Sequence, residues 1–171
     1  GKVVSAEALV RWVHPEHGFI MPDDFIPLAE QTGNIRLLTH WAIEKALQHH
    51  LACLALGFEL KIAVNISALD LSDLSLPPFV ASLLDKYKIP ASALILEVTE
   101  SAIMSDPEQA MKALYMLKTM GIKLSIDDFG TGYSSMEQLK RAPVDELKID
   151  KSFVLDLATN TEDFVIVRSI A

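Results

Sequence analysis

The sequence predicts an α/β domain on a mainly parallel sheet. Short β-rich apolar runs alternate with helical stretches along the chain. The runs are almost continuously apolar, as in Ile62-Ala63-Val64, Leu94-Ile95-Leu96 and Leu124-Ser125-Ile126, which is how strands buried on both faces read. Several of the runs end on a polar residue. A barrel and a doubly wound sheet both accommodate this rhythm.

The first expected strand covers residues 3–10. Residues 25–30 and 35–55 then read as helices, the second with an apolar stripe of Ile43, Ala46, Leu47 and Leu51, and Gly57 placed to end it. A strand over 60–66 and a helix over 78–88 follow, then a third strand over 94–98. Residues 107–120 form a helix with the stripe Ala110, Ala113, Leu114 and Leu117, closed by Gly121. The fourth strand is 122–126. A Gly-rich loop and a short helix near 137–139 lead to a fifth strand over 146–149, and 162–171 is helical. No low-complexity segment or Gly/Ser/Pro-rich linker interrupts the chain, so 1–171 is read as one domain.

With 171 residues, a hydrophobic half and a mean hydropathy of +0.28, the chain can build a real core, or it carries apolar surface that more chain would cover. A net charge of −8 and a pI near 5.0 argue against a duplex nucleic-acid binder, which needs a broad basic face. They leave room for a small phosphate ligand bridged by divalent metal. The single cysteine, Cys53, rules out an internal disulfide and fits a reducing compartment. No apolar run is long enough to span a bilayer, and the start lacks a signal-peptide layout. A cytoplasmic domain is expected, and other domains of a parent protein can still anchor it to a membrane.

The polar residues at the strand ends carry the chemistry. Asn65, Glu97 and Asp127-Asp128 close successive apolar runs, Lys148 lies near the end of the fifth, and Glu7 sits in the first. In parallel βα folds the strands' carboxyl ends share one face, where active sites gather. Asn65, Glu97 and Asp127 are spaced about one βα unit apart, which favours convergence. Carboxylates with one amide oxygen and no sulfur suit Mg²⁺ or Mn²⁺ rather than zinc. Taken singly, each residue has an ordinary explanation: an exposed glutamate, a turn asparagine, a turn-starting aspartate pair, a solvated lysine. Together they do not, because unpaired charges are rare at the ends of buried strands. The five histidines show no ligand spacing. Cys53 reads as a small buried hydrophobe, and Trp12 and Trp41 as core or near-core residues.

These residues sit in segments that resemble the EAL-domain family. Glu7-Ala8-Leu9-Val10-Arg11-Trp12 is similar to its name-giving signature, followed by His14-Pro15, Gly18, Pro22 and Phe25-Ile26-Pro27-Leu28-Ala29-Glu30. Val64-Asn65-Ile66-Ser67, Glu97-Val98-Thr99-Glu100, the stretch from Asp127 to Ser135, and Leu147-Lys148-Ile149-Asp150 resemble its later motifs, in order. The resemblance implies an incomplete TIM-like (β/α) barrel, with about five of the strands present. It implies hydrolysis of cyclic di-GMP to linear pGpG in bacterial signalling. Glu7, Asn65, Glu97 and Asp127 would hold one Mg²⁺ or Mn²⁺, and Asp127 with Asp128 the second. Lys148 would orient the attacking water or the phosphate, and Arg11 would contact a substrate phosphate. Glu100 would anchor the loop from Asp128 to Ser135, which couples dimer contacts to metal binding. The family pattern continues with another metal-site glutamate and a substrate-binding glutamine, neither present here. The expectation is therefore a domain lacking its C-terminal portion, weakly active or inactive alone and prone to dimerise or self-associate. The alternative function is a non-catalytic cyclic di-GMP receptor or regulatory module.

Overall fold

The computed structural model describes residues 3–130, 141–155 and 167–168. Strands β1 (Ser5–Glu7), β4 (Lys61–Asn65), β5 (Leu94–Thr99), β6 (Lys123–Phe129) and β7 (Glu146–Ile149) form one parallel sheet in the order β1-β4-β5-β6-β7. Order in space is order in sequence. A doubly wound sheet reverses its order at a switch point, whereas a barrel does not. The sheet curls into a half-barrel of the TIM type. A hairpin of β2 (Trp12–His14) and β3 (Gly18–Ile20), which the sequence reading did not anticipate, interrupts the rhythm after β1.

The helices are α1 (Pro22–Gln31), α2 (Ile35–Ala55), α3 (Ala68–Leu71), α4 (Leu76–Tyr87), α5 (Glu100–Ser105), α6 (Pro107–Thr119) and α7 (Ser152–Leu155). Alternate strand residues pack with them in one core. Leu94, Leu96, Val98, Leu124 and Ile126 join Ile43 and Leu47 of α2, Val80 and Leu84 of α4, and Leu114 and Leu117 of α6. Each such side chain contributes about 1.5–3 kcal/mol by leaving water. The residues between them, including Glu97 and Ser125, lie on the sheet's other face because strand side chains alternate.

Local chemistry sets the element ends. Ser67 caps α3 reciprocally with Asp70, whose carboxylate also accepts the Thr39 hydroxyl at 2.7 Å. Asp106 caps α6, with Pro107 beginning it, and Gly121 follows at φ +90°.

Several expectations change. β1 is shorter than 3–10, because the chain leaves the ladder once the Ala8 N–H has bonded Ala63 O at 2.8 Å. α4 begins at Leu76, since its paired prolines fit a first turn. The buried stripe of α2 runs through His50 rather than the exposed Leu51, and His50 Nδ1 bonds Leu60 O at 2.8 Å. Trp12 (41% exposed) and Trp41 (48%) are surface residues, not core. Trp12 instead packs edge-on against Phe25, joining the hairpin to α1. Cys53 is only partly buried, near the end of α2. The helix expected near 137–139 lies outside the described residues, as does most of 162–171.

Asp145 ties β7 in place. Its carboxylate accepts the Leu124 N–H at 2.9 Å and pairs with Lys118 of α6. Burial works against its ionisation, but these two donors outweigh it and hold the carboxyl below its ordinary value of 3.8. A depressed folded value means stability that is present above the unfolded value and lost as pH falls through the folded one. Asp145→Asn should therefore cost about 1 kcal/mol near neutral pH, a modest figure because solvent screens a partly exposed pair. Denaturant titrations of both proteins should show the gap closing as the pH drops below 3.8.

Candidate functional site at the carboxyl ends of the strands

The sheet register gathers the polar residues. Asn65 of β4 pairs with Glu97 of β5, Glu97 with Ser125 of β6, and Ser125 with Glu146 of β7, making one lateral row. Asp127 stands one step further along β6 on the same face, opposite Thr99. Glu7 ends β1, and its Oε1 accepts the Asn65 amide at 2.7 Å, leaving the Asn65 carbonyl oxygen for another partner.

A bulge brings the neighbouring aspartates together. Ile126 pairs with Leu147 and Phe129 with Ile149, so Asp127 and Asp128 occupy the place that β7 fills with Lys148 alone. Asp128 takes a left-handed backbone (φ +53°), a conformation aspartate tolerates better than most residues. Its N–H bonds Asp127 Oδ1 at 3.1 Å. Gly130 follows at φ +101°, where an added Cβ would meet the Phe153 ring of α7 at 2.8 Å. Glu100, buried at the start of α5, accepts the Gly130 N–H at 3.0 Å. Residues 131–140, most of the loop that Glu100 is expected to anchor, lie outside the described residues.

Electrostatically the mouth is overloaded with negative charge. Lys148 Nζ pairs with Glu97 Oε1 and stands 3.9 Å from Asp127 Oδ2. Glu97 is only 3% exposed. Burial pushes its carboxyl upward; Lys148 opposes this without cancelling it, and the charges of Glu7 and Asp127 add to the rise. Burial disfavours the Lys148 ammonium, but the Glu97 bond and the charges of Asp127 and Glu7 hold its value above normal. Asp128 is pushed up by burial, then by Asp127 and Asp150. The Lys148 ammonium thus answers to three carboxylates, Glu97, Asp127 and Glu7.

Among the described residues, no three His, Cys, Asp or Glu side chains close a metal site by themselves. Even so, the donor set fits a hard cation. Its atoms are all oxygen, their mutual repulsion is what a divalent ion relieves, and buried Glu97 Oε2 has no hydrogen-bond partner. Beside this row lies a cleft of about 720 Å³, lined by Arg11, Asn65, Ser67, Thr99, Ser101 and Asp128, with Pro22 and Ile26 of α1 and Leu38 of α2. The exposed Arg11 bonds its neighbour's carbonyl, Val10 O, at 2.9 Å. Sequence reasoning did not single out Ser125, Ser67 or Ser101; the only signal for Ser125 was a hydroxyl inside an apolar run.

A half-barrel whose polar and charged side chains converge beside a cleft at the strands' carboxyl ends defines a class, the TIM-barrel-like domains with a site at that face. The chain belongs to the EAL domain family, whose model matches residues 1–171. It is 44% identical over 171 residues to the bifunctional diguanylate cyclase/cyclic di-GMP phosphodiesterase MucR of Pseudomonas aeruginosa, covering 99% of this chain and 25% of that protein. It is 43% identical over 171 residues to the cyclic di-GMP phosphodiesterase NbdA of the same organism, covering 99% and 22%. The chain thus spans about a quarter of the length of these relatives. The solved PaMucR phosphodiesterase in complex with c-di-GMP superposes with a TM-score of 0.92 at 44% identity, over 99% of this chain and 69% of that one.

Removing the Glu100 acceptor should strand a backbone N–H in a partly buried place. Glu100→Ala is expected to cost about 1–3 kcal/mol in chemical denaturation, and Glu100→Gln, which keeps an acceptor oxygen, less than half of that.

Proposed function

We propose that the complete parent domain hydrolyses cyclic di-GMP to linear pGpG in bacterial second-messenger signalling, using Mg²⁺ or Mn²⁺ in a cytoplasmic setting, and that this chain alone is weakly active or inactive. The observation that carries this reading is the convergence of Glu7, Asn65, Glu97, Asp127 and Lys148 at one end of the sheet beside a cleft. The phosphodiesterase names of relatives above 40% identity support it.

Glu7, Asn65, Glu97 and Asp127 would hold one cation, and Asp127 with Asp128 a second. Bound there, such a pair would activate a water and would stabilise charge developing around phosphorus. The chain's own residues supply the rest. Lys148, held cationic by its acidic neighbours, would orient the attacking water or a phosphate oxygen. Arg11, on the cleft wall, presents a planar fork suited to a second phosphate oxygen. Glu100 fixes the turn after Asp128 through Gly130, so that the aspartate pair keeps its place.

A non-catalytic cyclic di-GMP receptor is the second reading. The Lys148–Glu97 pair favours it, because a lysine already satisfies part of the charge that a cation would. The parent-length protein should open cyclic di-GMP when Mn²⁺ or Mg²⁺ is supplied, and Asp127→Ala should abolish turnover while Arg11→Ala lowers kcat/KM by a smaller factor. Undiminished turnover in Asp127→Ala would reject the two-cation mechanism. Tight cyclic di-GMP binding with no hydrolysis at any metal concentration would leave the receptor reading standing.

A further inference from the structure

Two buried polar atoms among the described residues lack a hydrogen-bond partner: Glu97 Oε2 and Ser125 Oγ. They are neighbours. Glu97 and Ser125 are paired across β5 and β6, and in a parallel ladder paired residues project from the same face. Ser125 is fully buried and Glu97 nearly so. One atom is an acceptor on a carboxylate whose other oxygen, Oε1, is held by Lys148; the other is a hydroxyl that can donate. An unmatched buried acceptor beside an unmatched buried donor leaves both desolvated without compensation, and one water between them satisfies both.

We infer that Ser125 is a positioning residue for Glu97: its hydroxyl donates through one buried water to Glu97 Oε2 and fixes the carboxylate plane at the mouth. Ser125 touches neither substrate nor cation; it acts through Glu97. Supporting hydrogen bonds of this kind typically change metal affinity about 10–100-fold when removed. A Leu-Ser-Ile run would pack at least as well with alanine at its centre, so packing does not require the hydroxyl. The inference rests on the reading of Glu97 as a cation ligand, and its test separates the two.

Mn²⁺ affinity by isothermal titration calorimetry and metal-free melting temperature are measured for the purified protein, Ser125→Ala, Ser125→Thr and Glu97→Gln. Ser125→Ala should bind Mn²⁺ about 10-fold more weakly, and Ser125→Thr, which keeps a hydroxyl, should return to within about threefold of the parent. Ser125→Ala with parental Mn²⁺ affinity and a raised melting temperature, beside a Glu97→Gln variant that binds poorly, would overturn the inference and leave the cation site intact. A parent protein that takes up no Mn²⁺ would overturn both. Should Ser125→Ala melt many degrees lower, Ser125→Cys repeats the comparison with a weak donor of similar size, and parental Mn²⁺ affinity in that variant counts against the role.

Discussion

A carboxylate at the centre of a sheet is expensive to bury, and the arrangement around Glu97 answers to that cost. Its charge is opposed by burial and by two neighbouring acids, and favoured by one lysine arriving from the last described strand. Asn65 and Ser125 flank it in register, Asp127 stands one step further along β6, and Glu7 reaches Asn65 from β1. The outer face of the same strands is apolar and locked into the helices. Side-chain alternation therefore builds two things at once: a core behind the sheet that holds strand spacing, and a row of donors in front of it whose positions follow from that spacing.

Charge balance at the mouth follows from backbone detail rather than composition. The bulge at Asp127–Asp128 lets two acids share a position opposite one lysine. It depends on a left-handed aspartate and on Gly130, which gives way to the Phe153 ring. The Glu100 carboxylate holds the Gly130 amide from the neighbouring strand's helix. Strand end, turn and helix start are thus coupled within a few residues, and a substitution at any of them acts on the carboxylates without touching them.

Much of this was legible in the sequence. The strands after the first, the long helix Ile35–Ala55 and the polar strand ends follow from apolar runs and their punctuation. The choice between barrel and doubly wound sheet came from the resemblance of the motifs and not from periodicity, which says which face a residue takes but not which strand lies beside it. The hairpin was missed because Trp12–His14 and Gly18–Ile20 are too short to show an alternation. Trp12 and Trp41 misled because large aromatic residues usually mark a core, yet here they lie on the surface. Ser125 was invisible because one hydroxyl inside an apolar run carries no pattern, and only the lateral register sets it beside Glu97.

The order of residues along the chain also bears on how the mouth comes together. A ribosome releases Glu7, Asn65, Glu97 and Asp127 before Lys148, so the nascent acidic row exists for a time without the chain's own counter-charge. Docking of β7 onto β6 is then drawn by electrostatic attraction as well as by ladder hydrogen bonds, and assembly of the mouth becomes a late event in biosynthesis. Divalent ions in the surrounding solution can neutralise the waiting carboxylates during that interval.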